Sequence, residues 1–462
     1  MDKNTNNVSK KTVLFITILS SFIAPFMGSS VNIALPSIGK ELSMNALSLS
    51  WVATAYLLTS AVFLVPFGKM ADIYGRKKVY SLGILVYGIS SLAIIFAPFS
   101  WMLIVLRAIQ GIGGSMIFST SVAILTSVYP VNERGKVLGW NIGAVYLGLS
   151  SGPFLGGILT QQLGWRSIFV VSAVFSFSII PFIFLKLKQE WADAKDEKFD
   201  FKGSLVYMAG LFLVMYGFPM LNTLTGFCLV VSGTIVLAGF FILENHVTYP
   251  VLDLSHFKRN KTFIFSNIAA FINYSATFAV TFLLSLYLQY IKGFSPQTAG
   301  LIMVTQPITM AIFSPLAGRL SDKIEPRVVA SIGMTLTTIG LIPFIFLGFH
   351  TSVSFITIAL MLIGTGFGLF SSPNTNAIMS SVERKYYGIA SASVGTMRMT
   401  GQSISMGIAM LIFAVNMGKV KITPEFYPLF LDSTRIAFII FTLLCLVGIF
   451  ASLVRGKIIT SR

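Results

Sequence analysis

Two arginines lie inside long apolar runs of the sequence, and they are the charged side chains best placed to act within a membrane. Arg107 belongs to the run 101–128 and Arg398 to the run 388–416. A charge at the centre of a membrane helix costs about 2.5–3.5 kcal/mol on insertion scales, so it is expected to face a polar interior. For Arg107 the alternative is a side chain that reaches the interface one or two turns away. We predict that both arginines are functional embedded charges.

Acidic side chains show the opposite distribution. All 16 Asp and Glu residues fall in termini, loops or the ends of apolar runs, so none can serve as a proton carrier at mid-membrane depth. The remaining candidates for proton transfer are Asp72, Glu41 and Asp432. If both arginines face a cavity, this charge pattern favours a neutral, zwitterionic or anionic substrate over a cation.

The sequence gives little support to enzyme, metal or nucleic-acid chemistry. His246, His256 and His350 fall in predicted loops without a ligand cluster, and Cys228 and Cys445 have no metal or disulfide spacing. The net charge of +17 would suit nucleic acid only as a patch with stacking groups on a soluble face. We therefore predict no enzymatic activity, no cofactor, no metal and no nucleic-acid partner. A sensor is disfavoured because no soluble signalling domain is visible.

Composition places these residues in a bilayer. The 462 residues are 55% hydrophobic and 11% charged, with a mean hydropathy of +0.82, whereas a soluble domain is about a quarter charged. A hydrocarbon core of about 30 Å needs about 20 apolar residues per helix. That window predicts an all-α integral membrane protein of about fourteen helices, the seventh and eighth being the least secure. The predicted spans are 13–35, 49–68, 79–98, 101–128, 137–162, 167–187, 203–221, 226–243, 263–290, 297–317, 328–348, 352–378, 388–416 and 431–454.

The basic residues set the expected orientation. With the N-terminus inside, 25 of the 33 lysines and arginines fall on the inner side and six on the outer side. By the positive-inside rule, both termini are predicted to be cytoplasmic.

An internal repeat divides the chain into halves. Gly68, Asp72 and the basic Lys77 recur as Gly318, Asp322 and Arg327, and the same offset of 250 residues relates Glu133-Arg134 to Glu383-Arg384. Paired halves with a site between them are a recurring transporter plan. The segment 186–202 is either a solvated linker or a helix lying on the membrane surface. The predicted parts are a cytoplasmic tail (1–12), a six-helix bundle (13–188), a linker (189–202), an inserted helix pair (203–244), a cytoplasmic loop (245–262), a second six-helix bundle (263–455) and a tail (456–462).

Two glycine patterns and a set of polar residues complete the candidate site. Gly68 and Gly75 allow a tight, charged turn between two helices. In the fifth span, glycines at every fourth residue form a stripe for close packing, and a proline bends the helix. Both glycine patterns are also consistent with ordinary helix packing. The polar residues are expected to form hydrogen bonds between helices at least as often as they contact a ligand. The fifth-span motif is Gly148, Gly152, Pro153, Gly156 and Gly157, and the cavity candidates are Asn32, Tyr56, Gln110, Asn273, Gln306 and Gln402.

Taken together, these motifs resemble those of the major facilitator superfamily, and more closely its fourteen-helix drug:proton antiporters. The resemblance rests on Gly68–Lys78 between helices two and three, Arg107–Gly114 in helix four and Gly148–Gly157 in helix five. It implies a charge network at Asp72 and Arg76 that latches the cytoplasmic side. It also implies that Arg107 influences protonation of a nearby carrier and that the fifth helix forms an interface associated with export.

The same resemblance implies a function. We expect a secondary transporter in the cytoplasmic membrane, a monomer that exports small amphipathic, drug-like molecules in exchange for protons. The alternative is an uncoupled facilitator, or an exporter of anionic or neutral metabolites or lipids. One departure concerns Met27, which stands where members that expel cationic drugs usually carry an acid.

Overall fold

The computed structural model describes residues 10–187, 189–251, 260–321, 323–382, 387–418 and 420–456. These residues form α-helices and short connections, with no strand among them. The helices are α1 (Lys10–Glu41), α2 (Ala46–Tyr74), α3 (Arg76–Ile95), α4 (Ser100–Val128), α5 (Val131–Leu163), α6 (Arg166–Lys186), α7 (Phe201–Gly217), α8 (Leu224–Glu244), α9 (Lys261–Leu286), α10 (Pro296–Met303), α11 (Thr305–Ser321), α12 (Pro326–Ile345), α13 (Val353–Ser380), α14 (Tyr387–Asn416) and α15 (Tyr427–Val454).

Thirteen stretches of the described residues are long and apolar enough to cross a membrane. Two of these stretches are α7, with the short turn that follows it, and α8. Another stretch contains both α10 and α11, which are separated by Val304. A further long helix, α5, is not among these stretches. The predicted all-α, multi-pass membrane fold is therefore confirmed, with one predicted span interrupted.

Matching glycine contacts recur in the two halves. Helices α3 and α4 touch where Gly83 meets the backbone of Gly113, and α12 and α13 touch where Gly333 meets that of Gly366. A side chain at any of these four positions would collide with the neighbouring helix. The same correspondence relates Gly111, beside Tyr56 and Thr59, to Gly364, beside Gln306 and Thr309. The two bundles therefore share local helix packing at an offset of 250 to 253 residues.

The inserted pair, α7 and α8, lies against both bundles. Apolar side chains of α7 join a buried cluster with α2 that also includes Met399 of α14. Trp51 of α2 and Tyr216 of α7 have ring centres 5.4 Å apart. Immediately after α7, the Phe218 ring lies beside Gly407 of α14. The pair therefore covers the line where α2 and α14 meet.

Both described chain ends lie at the same end of the molecule. Lys10 Nζ at the start of α1 is 3.3 Å from Glu133 at the start of α5, and Tyr129 donates a hydrogen bond of 2.7 Å to the Lys10 carbonyl. Partial burial and the Glu133 carboxylate raise the pKa of the Tyr129 phenol. After α15, the carbonyl of Arg455 accepts a hydrogen bond from Thr262 at the start of α9. We call this the basic end, and the other the opposite end.

Candidate functional site

A layer of polar and aromatic side chains lies between the two bundles at mid-depth. The Arg398 guanidinium of α14 lies 5.4 Å from the ring centre of Phe118 on α4, so the two bundles meet through a cation–π contact. Tyr274 on α9 is within electrostatic range of both Arg398 and Tyr146 on α5. The hydroxyl groups of Tyr146 and Ser314 on α11 are 3.4 Å apart. At 1.5 Å per residue, Phe118, Arg398 and Tyr274 lie about 15 to 20 Å along their helices from the basic end.

Arg398 is partly exposed, and its hydrogen-bonding capacity is not filled. Its Nε is buried and has no partner, and no acidic side chain among the described residues forms an ion pair with it. The groups around it are the neutral rings of Phe118 and Tyr274 and the more distant Tyr56. The layer therefore carries a positive charge without a neighbouring negative one.

Arg107 is embedded differently, inside the N-terminal bundle between α2 and α4. It is 2% exposed, and its guanidinium stacks on the Tyr56 ring at 4.6 Å. Its Nε donates to the Val52 carbonyl at 3.0 Å, and its Nη1 donates to the Gln110 side chain. Gln110 in turn donates to Ser91 at 2.7 Å. Arg107 therefore neither reaches the interface nor lines the layer in this state.

The other predicted cavity residues lie in four different surroundings. Tyr56 and Gln110 belong to the Arg107 network. Asn32 is 3% exposed, and its backbone carbonyl receives a hydrogen bond from Ser285. Asn273 is fully buried with both amide atoms unpaired, whereas Gln306 and Gln402 are partly exposed. The sequence identified these residues as polar and embedded, but not which of them lie near Arg398.

The charged turn after α2 is organised around Arg76. Its Nη2 lies 2.7 Å from Asp72, one helical turn earlier, and its Nη1 lies 2.8 Å from Asp193 in the linker. The same nitrogen donates to Ser127 near the end of α4 at 2.6 Å. Gly68, by contrast, faces only the β-carbon of Ser119. The turn thus joins α2, α3, α4 and the linker through one guanidinium.

The linker is not helical in its described residues, and it is docked on this turn. The backbone N–H of Arg76 donates to the carbonyl of Trp191 at 2.8 Å, and that of Ala194 donates to the carbonyl of Asp72 at 3.0 Å. Trp191 is only 8% exposed. The described linker residues before α7 thus form no surface helix, and the linker is solvated at Asp193, Lys195, Asp196 and Lys198 while Trp191 packs against the protein.

Carboxylates of the linker add to this docking. Glu190 accepts a hydrogen bond of 2.7 Å from the backbone N–H of Lys77, and Glu197 pairs with Lys69 at 2.6 Å. Gly75 has φ +121°, and a β-carbon there would lie 2.6 Å from Glu190 Oε1. Glycine is thus needed at the turn for its backbone conformation and for the approach of Glu190.

The second copy of the turn has a different network. Arg327 pairs with Glu325 at 2.7 Å, and Gly318 faces Ser372. Asp322, Glu383 and Arg384 lie outside the described residues. The repeat therefore preserves the turn without repeating the linker contacts of Arg76.

The glycine motif of α5 faces two partners. Gly148, Gly152 and Gly156 lie against α1, and Ser30 of α1 donates to the Gly152 carbonyl at 3.0 Å. Gly157, one residue further on, lies against Pro296 at the start of α10. The Pro153 carbonyl lies against Gly300 of α10. One face of the motif thus packs against α1 of its own bundle, and the adjacent face packs against α10 of the other bundle.

Hydrogen bonds between the bundles cross near the opposite end. Ser285 of α9 donates to the Asn32 carbonyl at 2.5 Å, and Gln289 donates to the Ile33 carbonyl at 2.8 Å. Thr54 of α2 donates to the Met410 sulfur of α14 at 3.2 Å. These bonds tie α1 and α2 to α9 and α14.

The two outer candidates for proton transfer are in ion pairs. Glu41 accepts a hydrogen bond of 2.7 Å from the Trp165 indole and pairs with Arg166. Asp432 lies 3.5 Å from Arg435 on the same helix, and both side chains are largely exposed. Each carboxylate therefore already has a cationic partner.

Sequence reasoning missed the burial of Arg455. This residue was counted among the charges of the basic end, yet it is 1% exposed. Its Nη1 donates to Asn374 at 2.7 Å and to Ser266 at 3.3 Å, and its Nε donates to the Ser452 carbonyl at 2.8 Å. The signal available in the sequence was the presence of Ser266 on α9 and Asn374 on α13, which lie at the same depth as Arg455.

Two helical bundles that enclose a polar layer at mid-depth, with an inserted pair across their seam, define a polytopic membrane transporter. The chain belongs to the Major Facilitator Superfamily, whose sequence model matches residues 17–257 and 267–458. It is thus a transporter and not an enzyme.

Relatives and solved structures agree with this assignment. The chain is 30% identical over 401 residues to the riboflavin transporter RibZ of Clostridioides difficile, covering 87% of each chain. It is 29% identical over 422 residues to the multidrug transporter protein MdtP of Bacillus subtilis, covering 88% of this chain and 76% of that protein. A bacterial homologue of the human lysosomal transporter Spinster, solved in an inward-facing, unoccupied conformation, shares the fold with a TM-score of 0.69. Its identity is 14%, and the match covers 98% of each chain.

Proposed function

We propose that this protein exports small amphipathic, drug-like molecules across the cytoplasmic membrane by alternating access, with both termini in the cytoplasm. The observation that carries the proposal is the mid-depth layer of Phe118, Tyr146, Tyr274, Ser314 and Arg398, to which both bundles contribute. A site shared by two bundles changes its access when the bundles rock against each other. The hydrogen bonds near the opposite end suit a state that opens towards the basic, cytoplasmic end.

The names of the relatives support this substrate class. One is called a riboflavin transporter and another a multidrug transporter, and both match most of this chain. The aromatic rings of the layer offer faces for a planar or apolar body. The substrate in this proposal is accordingly an organic molecule with an aromatic or apolar part and a polar part.

Proton antiport is the proposed source of energy, with Asp72, Glu41 and Asp432 as candidate proton-transfer groups. All three lie at helix ends, and each has a cationic neighbour: Arg76, Arg166 or Arg435. One observation favours a second candidate function, an uncoupled facilitator or an exporter of anionic or neutral metabolites or lipids. It is the unpaired positive charge of Arg398 at mid-depth.

Everted membrane vesicles test the proposal directly. Vesicles with and without the protein are given a proton gradient and a panel of fluorescent amphipathic compounds. Uptake that dissipates the gradient supports proton-coupled export. Uptake that leaves the gradient unchanged removes the coupling and supports the facilitator, whereas no uptake of any compound contradicts drug export.

The direction of access has its own measurement. A single cysteine placed in the layer, in a variant lacking Cys228 and Cys445, is labelled with an impermeant reagent from either side. The proposal expects faster labelling from the cytoplasmic side in the substrate-free protein. Faster labelling from the outside would contradict the orientation or the assigned state.

A further inference from the structure

Among the described residues Arg107 and Arg455 are buried, whereas Arg398 is partly exposed with a buried Nε. Arg107 gives its donors to the Val52 carbonyl and the Gln110 side chain. Arg455 gives its donors to Ser452, Asn374 and Ser266. Of the three, only Arg398 has a buried nitrogen without a partner, at Nε. Arg398 is also the one that lies between the bundles, where a transported molecule would pass.

An unpaired guanidinium in this position is unfavourable unless a negative group completes it. Arg398 keeps part of its side chain in contact with solvent, but its buried Nε has lost water without gaining a partner, and burial of charge is tolerated when the charge is paired. An arginine keeps its proton under physiological conditions, so it cannot relieve this cost by becoming neutral. Among the described residues, no carboxylate forms an ion pair with Arg398, so the protein supplies no counter-charge there.

The surroundings of Arg398 also specify the rest of the ligand. Phe118 holds the guanidinium through its ring, and Tyr274 packs edge-to-face on Phe367 at 5.4 Å. These rings offer apolar surface next to the charge. The planar fork of an arginine matches the oxygens of a carboxylate or phosphate group in a bidentate arrangement.

We propose that Arg398 binds the anionic group of the substrate, and that the preferred substrates are organic anions with an aromatic body. This inference rests on the proposed function and adds the charge of the transported molecule. A lipophilic cation would bring a second positive charge towards Arg398, where no carboxylate offsets the repulsion. The protein therefore selects anions over neutral molecules of the same shape, and neutral molecules over cations.

A matched pair of probes isolates the charge. Riboflavin and riboflavin 5′-phosphate share one fluorescent ring system and differ by the phosphate, and ethidium serves as a cationic aromatic probe. Initial uptake into everted vesicles is compared for the wild type, Arg398→Gln, Arg398→Lys and Lys202→Gln. Lys202 is exposed at the basic end, so its substitution removes one positive charge outside the layer.

The wild type is expected to prefer the phosphate over riboflavin by at least about tenfold, which corresponds to about 1.4 kcal/mol, and to move ethidium slowest. Arg398→Gln should abolish the preference between phosphate and riboflavin, Arg398→Lys should restore part of it, and Lys202→Gln should match the wild type. Transport with an unchanged preference in Arg398→Gln, or preference for ethidium, overturns the inference and leaves the proposed function standing. No transport of any probe by the wild type contradicts both.

Binding to purified protein gives a readout that does not depend on turnover. Fluorescence anisotropy of riboflavin 5′-phosphate should report binding to the wild type, at least about tenfold weaker binding to Arg398→Gln, and intermediate binding to Arg398→Lys. Size-exclusion profiles show whether each variant is folded. Equal affinity of folded wild type and Arg398→Gln would show that the guanidinium does not bind the phosphate group.

Discussion

Arg76 is shared between two carboxylates, Asp72 one helical turn before it and Asp193 in the linker after α6, at 2.7 and 2.8 Å. The first contact lies within the turn, and the second fastens a separate segment to that turn. Because Asp193 is 72% exposed, its ion pair alone adds little stability. The docking depends more on the buried Trp191 and on the backbone hydrogen bonds that Trp191 and Ala194 make to the turn.

Removing the charge of Asp72 tests the role of this turn in transport. Asp72→Asn keeps the shape of the side chain but weakens its attraction for Arg76, so transport should slow several-fold while the amount of folded protein stays the same. Asp196→Asn, at an exposed linker position, is the control and should transport at the wild-type rate. Initial uptake rates in vesicles, normalised to protein amount, decide the outcome. A wild-type rate for Asp72→Asn would remove this carboxylate from the mechanism.

Releasing the linker is expected to expose it to protease. A buried tryptophan replaced by alanine loses about 3–5 kcal/mol, so Trp191→Ala should undock the segment. Trypsin cleavage after Lys195 and Lys198 should then accelerate by more than about tenfold, since 1.4 kcal/mol is a factor of ten in the open population. Trp140→Ala, on an exposed side chain of α5, provides a matched control. If both variants are cut at the same rate, Trp191 does not hold the linker.

Alanine substitutions at Gly75 and Gly164 distinguish the cost of backbone strain from the cost of a steric collision. Both have positive φ, +121° and +81°, but only at Gly75 would a new β-carbon meet Glu190. Gly164→Ala should cost about 1–3 kcal/mol for the strained positive-φ backbone alone, and Gly75→Ala should cost more. Thermal unfolding in detergent measures both. The double variant Gly75→Ala with Glu190→Ala should recover part of the loss, and equal costs for the two single variants would contradict the contact.

The α1–α5 interface offers a second matched pair of glycines. A β-carbon at Gly152 would meet Ser29 and the Phe26 carbonyl of α1, whereas one at Gly143 meets nothing within 4 Å. Gly152→Ala should therefore lower stability by about 1–3 kcal/mol through overpacking and reduce transport. Gly143→Ala should change neither by a measurable amount. Unfolding temperature and uptake rate are measured for both, and a harmless Gly152→Ala would mean that α1 can move away freely.

The Arg107 network is tested through its acceptor. Gln110→Leu removes the acceptor of the Arg107 Nη1 bond in a buried site and the donor to Ser91, which keeps its own bond to the Tyr87 carbonyl. We expect a loss of about 1–3 kcal/mol in stability. Gln161→Leu, on an exposed side chain at the far end of α5, should stay within about 0.5 kcal/mol of the wild type. Equal unfolding temperatures for the two variants would show that the network is not stabilising.

The positions of the helices could be predicted from the sequence because bilayer thickness sets the length of each apolar run. The break at Val304 was not predicted, although Pro307 is a signal for it: a proline has no backbone N–H and crowds the carbonyl four residues earlier, which here belongs to Met303 at the end of α10. The approximate location of each charge was also predictable. Which arginine is satisfied and which is not depends on partners from other helices, such as Val52 for Arg107 and Asn374 for Arg455.

The docked linker shows a second limit of prediction. Its mixed charges suit solvent, and nothing in the segment itself indicates that Glu190 would accept the Lys77 backbone N–H or that Trp191 would be buried. Those contacts are set by the surface formed by Asp72, Gly75 and Arg76. The contacts depend on how the turn between α2 and α3 is folded, so they cannot be inferred from the sequence of the linker alone.

The inserted pair has a consequence for molecules that arrive through the lipid. Its α7 packs along α2 and contacts α14, and Phe218 lies on Gly407. One of the two seams between the bundles is therefore covered on the side that faces the lipid. An amphipathic compound dissolved in the inner leaflet that approaches this seam meets α7 before it meets Arg398. Under the proposed function, lateral entry from the bilayer would be directed to the other seam, where α5 meets α10 and α11.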